Sequence, residues 1–131
     1  MSVLILQGPG AHAGTVPCAH HSTQRIRCAD IGSLIHSLRA ARDADIELVL
    51  LDSGAIGREQ DRPHWPALRA AIDALPAPYI ELHDNTADEL QPWLHPQHQP
   101  LATVITPGDP ARAYAMSVAI ATRRLATTSQ H

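Results

Sequence analysis

Five short apolar runs with strand-like composition are spaced along the chain, and helical patterns separate most of them. The runs are Val3 to Gln7, Gln24 to Cys28, Ile46 to Asp52, Tyr79 to Leu82 and Ala102 to Thr106. Strands that alternate with helices need crossover connections, and such connections produce a parallel sheet. In the second run Arg25 and Arg27 alternate with apolar residues, which is typical of an edge strand. The sequence therefore predicts an α/β domain with a five-stranded parallel sheet.

Three segments have the periodicity of helices that pack one apolar face on a sheet. The apolar stripes are Ile31, Leu34, Ile35 and Leu38, then Trp65, Leu68, Ile72 and Leu75, and finally Tyr114, Val118, Ala121 and Leu125. Asp30 is placed to cap the first helix, and Asp109 to cap the third. Pro63 and Pro66 lead into the second helix, and the prolines that start at Pro76 end it.

Length and composition limit the chain to one domain. With 131 residues, 44% of them hydrophobic, it can bury one core but not two. We expect residues 1–131 to form a single domain with a frayed tail at about 127–131. The opening apolar run is too short for a signal sequence or a membrane span, which predicts a cytoplasmic protein without a membrane partner. The net charge of −3 and the scattered arginines argue against a nucleic-acid partner.

The carboxyl ends of the predicted strands collect the polar residues that could form a ligand site. In open α/β sheets, ligands bind outside these ends, near the point where the strand order reverses. The segments selected by this rule are Gln7 to Gly10, Asp52 to Gly54, Glu81 to Asn85 and Thr106 to Gly108. The stretch from Gly8 to Ser22 has no helical periodicity and is long for a connection, as in a loop that covers a site.

Glu81 and His83 are the strongest candidates for chemistry at this edge. Because they are two positions apart on a strand, their side chains face the same side of the sheet. A carboxylate beside an imidazole can fix its tautomer and favour its charged form, so the pair can act as a general acid. The alternative is a polar strand end whose side chains only hydrogen-bond to neighbouring backbone. From the spacing alone, this structural alternative is the more common one.

The sequence contains no recognised motif for binding a cofactor or for activating a nucleophile. The glycines after the first strand match neither the dinucleotide fingerprint nor the phosphate-binding loop, and Ser53 lacks a nucleophile elbow around it. The nine histidines include pairs in predicted loops, without the helical spacing or cysteine partners of zinc sites. We therefore expect no cofactor and no metal. Cys18 and Cys28 are too few for a disulfide framework and are expected to be reduced thiols.

Four segments, in sequence order, carry a family resemblance. Val3 to Gly10 is similar to a first strand that ends in Gly-Pro-Asn, and Leu48 to Ala55 is similar to a strand that ends in Asn-Pro-Gly-Ala. Pro78 to His83 is similar to the segment Pro-Val-Ile-Glu-Val-His. Val104 to Val118, which includes Tyr114, is similar to a closing helical segment. Together they resemble type II 3-dehydroquinate dehydratases over most of the chain. The resemblance implies a flavodoxin-like three-layer fold, a homo-oligomer (trimer or dodecamer), and a lyase that removes water from a small molecule without a cofactor.

The resemblance also implies roles for individual residues. His83 matches the histidine that protonates the departing hydroxyl, and Glu81 matches its orienting carboxylate. Residues expected to bind substrate are Gly10, Asp52, Ser53, Gly54, Arg58, Asp84 and Asn85. Gly10 and Asp52 stand where the family has asparagines. Gly8 to Ser22 contains neither tyrosine nor arginine, so the base of the family is missing.

Two functional interpretations follow from this partial match. The first is a divergent, shortened lyase or proton-transfer enzyme that uses His83 as a general acid on a less anionic small molecule. Arg58, His12, His20 or His21 would then replace the missing base. The alternative is a pseudoenzyme, a binding or scaffold subunit that keeps the fold without catalysis. A nucleotide-binding regulatory domain of flavodoxin-like type is the third and weakest interpretation.

Overall fold

The computed structural model describes residues 2–8, 22–42, 45–54, 59–83, 94–106 and 109–129. Its strands are β1 (Ser2–Gln7), β2 (Ser22–Arg27), β3 (Leu48–Asp52), β4 (Tyr79–His83) and β5 (Ala102–Ile105). Its helices are α1 (Ile31–Ala41), α2 (Trp65–Asp73) and α3 (Pro110–Ser129), and a 3₁₀ helix (Glu59–His64) leads directly into α2. Every strand lies within two residues of the run that predicted it.

All five strands are parallel, and their order in the sheet is β2-β1-β3-β4-β5. The chain leaves β1 for one edge and then returns past β1 to form β3, so the strand order reverses between β1 and β3. This order is that of flavodoxin-like folds. The predicted α/β class and the five-stranded parallel sheet are confirmed. β2 is an edge strand, as the exposed Arg25 and Arg27 predicted.

Helices cover both faces of the sheet and make it the middle of three layers. On one face, Leu4, Leu6, Val49, Leu51 and Tyr79 form a core with α1 and α2; on the other, Val3, Ile5, Leu48, Leu50, Ile80 and Leu82 form a core with Ala113 and Tyr114 of α3. Successive side chains of a strand point to opposite faces, so each central strand contributes to both cores. This explains why β1, β3 and β4 are apolar almost without interruption.

The two predicted caps begin their helices as expected. Oδ1 of Asp30 accepts a hydrogen bond from the backbone N–H of Ser33 at 2.8 Å, and Oδ1 of Asp109 accepts one from the N–H of Arg112 at 3.1 Å. Each bond satisfies an N–H of the first helical turn that has no partner within the helix. None of the described helices is long and apolar enough to cross a membrane.

The structure differs from the sequence prediction at three helix boundaries. The 3₁₀ helix before α2 has no buried residue, so no apolar periodicity announces it. Helix α2 ends at Asp73, and Leu75 is buried just beyond it rather than within its stripe. Helical backbone continues to Ser129, into the stretch predicted as a frayed tail, and residues 130–131 lie outside the described part.

Candidate functional site

The carboxyl ends of β1, β3 and β4 lie side by side at one edge of the sheet. Leu6 pairs in register with Leu51, and Leu51 pairs with Glu81. Beyond the strands, the N–H of Gly8 donates a 2.7 Å hydrogen bond to the carbonyl of Asp52, which continues the β1–β3 ladder by one residue. This edge includes the reversal of strand order, where ligands bind in folds of this type.

Glu81 and His83 form a buried pair on β4. Nε2 of His83 lies 2.9 Å from Oε1 of Glu81, and the two side chains are 0% and 2% exposed. An ionised carboxylate can only accept a hydrogen bond, so with Glu81 ionised Nε2 of His83 is the protonated nitrogen and donates the bond. This pairing fixes the orientation of the imidazole and leaves Nδ1 as the nitrogen that can exchange a proton. The predicted pair is therefore present, with the side chains bonded to each other.

Buried polar atoms of His83 and Ser53 at this edge find no hydrogen-bond partner among the described residues. Nδ1 of His83 and Oγ of Ser53 make no hydrogen bond within the described part of the chain, and Ser53 is fully buried. A buried polar group without a partner costs about 1–3 kcal/mol of folding free energy. In native proteins such groups are rare, and a water molecule, an ion or a ligand often supplies the missing partner.

A second polar network joins β1 and β3 to the last helix. Oη of Tyr114 donates a hydrogen bond to Oδ2 of Asp52 at 2.7 Å and accepts one from Nε2 of Gln7 at 2.8 Å. Burial raises the pKa of Tyr114, and the negative charge of Asp52 raises it further. The phenol therefore stays protonated and remains a donor to the carboxylate. From the sequence, Tyr114 belongs to an apolar helix face, and the signals that point to this network are polar Gln7 and Asp52 at the ends of two apolar strands.

The two networks lie on opposite faces of the sheet. Asp52 and Gln7 point to the α3 face, because they are two positions on from Leu50 and Ile5 of that core. Glu81 and His83 point to the face of α1 and α2, which they share with Tyr79. The structure therefore does not bring the Asp52 carboxylate together with the Glu81–His83 pair.

Two glycines, Gly8 and Gly54, allow the backbone conformation at the carboxyl ends of β1 and β3. A Cβ atom added to Gly8 would overlap the backbone carbonyl of Ser53, so only glycine lets the ends of β1 and β3 approach this closely. Gly54 has a φ of 64°, in the left-handed region that glycine adopts without strain. Ser53 is held between these two positions. Of the predicted substrate-binding residues, Asp52, Ser53 and Gly54 are thus placed at the carboxyl edge.

The remaining predicted residues lie outside the described ranges. They are Gly10, Arg58, Asp84 and Asn85, together with the candidate bases His12, His20 and His21. Among the residues that are described, no three His, Cys, Asp or Glu side chains are grouped so that they could hold a metal ion. The chemistry that the described site offers is proton exchange at one oriented imidazole. Comparison with known proteins adds no family to this geometry, since no protein-family model and no curated protein matches the chain.

Proposed function

We propose that this chain is a divergent protein of the type II 3-dehydroquinate dehydratase kind, a lyase or proton-transfer enzyme that acts on a small molecule with His83 as its general acid. One observation carries the proposal. A buried carboxylate, Glu81, holds Nε2 of His83 at 2.9 Å at the carboxyl edge of a central strand. The imidazole is thereby oriented, with Nε2 engaged by Glu81 and Nδ1 as the nitrogen that faces a substrate's proton in this proposal.

The proposed step is the elimination of water. The proton on Nδ1 of His83 goes to the departing hydroxyl as its carbon–oxygen bond breaks, and water leaves. A base takes a proton from the neighbouring carbon, and that electron pair forms the new double bond. His83 is left neutral and regains a proton from solvent, and the protonated base releases its proton to solvent, so both groups return to their starting states. The base is proposed to come from His12, His20 or His21, with Arg58 as an activating cation.

A second candidate function is the pseudoenzyme, a subunit that binds a partner or ligand without catalysis. The observation that favours it is the complete burial of the His83 side chain. A substrate can reach Nδ1 of His83 only if the groups that bury the imidazole ring move aside. In the pseudoenzyme, the Glu81–His83 pair would have a structural role only, and buried pairs of this kind also occur in proteins without any catalytic role.

A proton-transfer assay separates the two functions. The purified protein would be incubated with 3-dehydroquinate, and separately with small hydroxy-carbonyl compounds in heavy water. Ultraviolet absorbance would report the conjugated elimination product, and proton NMR would report deuterium incorporated at carbon. Replacing His83 with Gln removes the acid, and the expected loss of rate is about 10²–10⁴-fold.

The matched control is His36→Gln, which changes an exposed histidine in the middle of α1. This variant is expected to react at the wild-type rate. If the wild-type protein neither eliminates water nor exchanges protons with any compound, the enzyme proposal is wrong and the binding subunit is favoured. If His83→Gln and the wild type react equally fast, another residue is the acid.

The cellular setting and the assembly are also proposals, and the assembly is taken from the resemblance. We propose a cytoplasmic homo-oligomer, either a trimer or a dodecamer. Size-exclusion chromatography with light scattering would give its mass directly. A strict monomer would contradict an assembly inherited from the family, but it would leave the proton-transfer proposal to the assay above.

A further inference from the structure

We infer that Ser53 and His83 jointly bind one neutral, hydroxyl-bearing group of the ligand, with the Ser53 hydroxyl and Nδ1 of His83 as its two hydrogen-bond partners. The inference rests on the proposed function, because it uses the same edge of the sheet. It goes further by assigning Ser53, expected above to bind substrate, and His83 to the same group of the ligand, and by stating that this ligand is neutral. Its three supports are the strand register, the unsatisfied atoms and the placement of charge.

The register brings the two residues to neighbouring positions. The β3–β4 register ends with the pair Leu51 and Glu81, and Ser53 and His83 each come two residues further along their chains, so continuing the register would set them side by side. His83 points to the face of α1 and α2, and extrapolating the alternation of β3 one residue past its end places Ser53 on the same face. Gly8 follows β1 directly, and its lack of a side chain lets the backbone carbonyl of Ser53 approach it closely, which fixes the position of Ser53 at this edge.

Both residues have a polar atom that lacks a partner. Oγ of Ser53 and Nδ1 of His83 are buried, and neither makes a hydrogen bond in the described ranges of the chain. The Ser53 hydroxyl can donate and accept, and Nδ1 donates when the imidazole is charged. A single ligand oxygen between them would satisfy both atoms. The oxygen that His83 protonates and the oxygen that Ser53 holds would then be the same atom.

Charge selects a neutral ligand. The chain contains no lysine, and β1, β3 and β4 contain no arginine. Arg25 and Arg27 of β2 pair with Ile5 and Gln7, so they point to the opposite face of the sheet. When His83 is charged, its pair with Glu81 is neutral overall, and no arginine of the described strands faces it, so these described residues offer an anion no net positive charge. A desolvated carboxylate or phosphate would therefore bind poorly beside His83.

The test uses two small probes that share a hydroxymethyl-carbonyl skeleton and differ in charge, neutral hydroxyacetone and anionic glycolate. Isotope-labelled histidine gives ring-nitrogen NMR signals, and the His83 signals are those that disappear in His83→Gln. Hydroxyacetone is expected to shift the Nδ1 signal more than the Nε2 signal, and glycolate at equal concentration is expected to shift neither. In Ser53→Ala the same shift is expected to need about three to ten times more hydroxyacetone.

The matched control is Ser117→Ala, which changes a buried serine of α3 whose hydroxyl donates to the carbonyl of Ala113 at 2.8 Å. Its titration with hydroxyacetone is expected to match that of the wild type.

Thermal unfolding gives a measurement that needs no ligand. Because the Ser53 hydroxyl has no partner among the described residues, Ser53→Ala is expected to unfold at no lower temperature than the wild type.

Several outcomes would overturn the inference. They are equal titrations of Ser53→Ala and the wild type, equal or stronger binding of glycolate, no shift of His83 with hydroxyacetone, and a clear loss of melting temperature in Ser53→Ala. The failure of the proposed function is distinguishable from these. Hydroxyacetone that binds without any His83-dependent reaction would overturn the enzyme proposal alone, whereas His83-dependent turnover that ignores Ser53 would overturn this inference alone.

Discussion

Tyr114 of the last helix and Asp52 of the third strand are joined by a 2.7 Å hydrogen bond from the phenol to the carboxylate. The two residues are 62 positions apart in sequence, so the bond fixes α3 to the carboxyl edge of the sheet. It also occupies one oxygen of Asp52 on the face opposite the Glu81–His83 pair. These contacts support a structural role for Asp52, which holds α3 in place. The acid chemistry is proposed on the other face of the sheet.

The first prediction concerns the strength of this bond. Tyr114→Phe removes the donor and is expected to lower the free energy of unfolding by about 1–3 kcal/mol, because a bond to a charged group is lost. In a double-mutant cycle with Asp52→Asn, we expect a coupling energy of about 1 kcal/mol or more. Urea unfolding followed by circular dichroism gives all four values.

The control for this cycle pairs Asp52→Asn with Tyr79→Phe. Tyr79 is a second buried tyrosine, but its hydroxyl donates to the carbonyl of His98 at 2.6 Å. The effects of Tyr79→Phe and Asp52→Asn are expected to add within about 0.5 kcal/mol. A Tyr114 cycle as additive as this control would show that the phenol–carboxylate bond contributes nothing to stability.

The second prediction is loss of stability at alkaline pH. Burial raises the pKa of both tyrosines of the chain, and Glu81 adds to the effect at Tyr79 as Asp52 does at Tyr114. A pKa that is higher in the folded than in the unfolded state gives stability that is complete below pH about 10 and lost above it. The expected slope is up to about 1.4 kcal/mol per pH unit for each tyrosine.

Tyrosinate absorbance and circular dichroism, recorded together during an alkaline titration, test this prediction. Absorbance is expected to rise only as the protein unfolds, since neither phenol ionises in the folded state at moderately alkaline pH. Tyr114→Phe is expected to reduce the slope of unfolding free energy against pH. Tyrosinate absorbance that develops while the circular dichroism stays native would contradict the buried, protonated phenols.

The fold could be predicted from the sequence because its signals are local. Apolar runs of strand length and stripes with helical spacing reflect which face of each element is buried, and burial of the sheet on both faces made these signals strong. The 3₁₀ helix (Glu59–His64) escaped prediction because none of its residues is buried. The bounds of the strands shifted by up to two residues, since pairing with neighbours ends a strand and composition does not record it.

The candidate site could be predicted only where its residues share a strand. Glu81 and His83 lie two positions apart, so alternation alone put them together. Tyr114 and Asp52 meet across layers, and no local pattern encodes that contact. Whether the polar atoms of Ser53 and His83 have hydrogen-bond partners depends on every side chain around them, and only a three-dimensional structure gives those neighbours.

The third prediction compares two glycines. A Cβ atom at Gly8 would overlap the carbonyl of Ser53, so Gly8→Ala forces β1 and β3 apart and is expected to lower the free energy of unfolding by about 1–3 kcal/mol. Gly32 of α1 has room, with the nearest atom, Oδ1 of Asp30, at 3.5 Å. Gly32→Ala is expected to raise stability by up to about 1 kcal/mol. Urea unfolding of both variants gives the two changes in the free energy of unfolding. Equal changes for Gly8→Ala and Gly32→Ala would contradict the close approach of Gly8 to the Ser53 carbonyl.

The last prediction concerns acid pH and the cap of α1. The hydrogen bond from the backbone N–H of Ser33 holds the pKa of Asp30 below its ordinary value of 3.8. A lowered pKa gives stability that is present above the unfolded-state value and lost as pH falls through the folded-state value. Asp30→Asn keeps a capping side chain that does not titrate, so the wild type is expected to lose stability relative to it below pH about 4. Asp30→Ala lacks the cap and is expected to be less stable than the wild type at neutral pH. If urea unfolding gave the wild type and Asp30→Asn a constant difference from neutral to acid pH, the Asp30 carboxylate would not be the form that caps the helix.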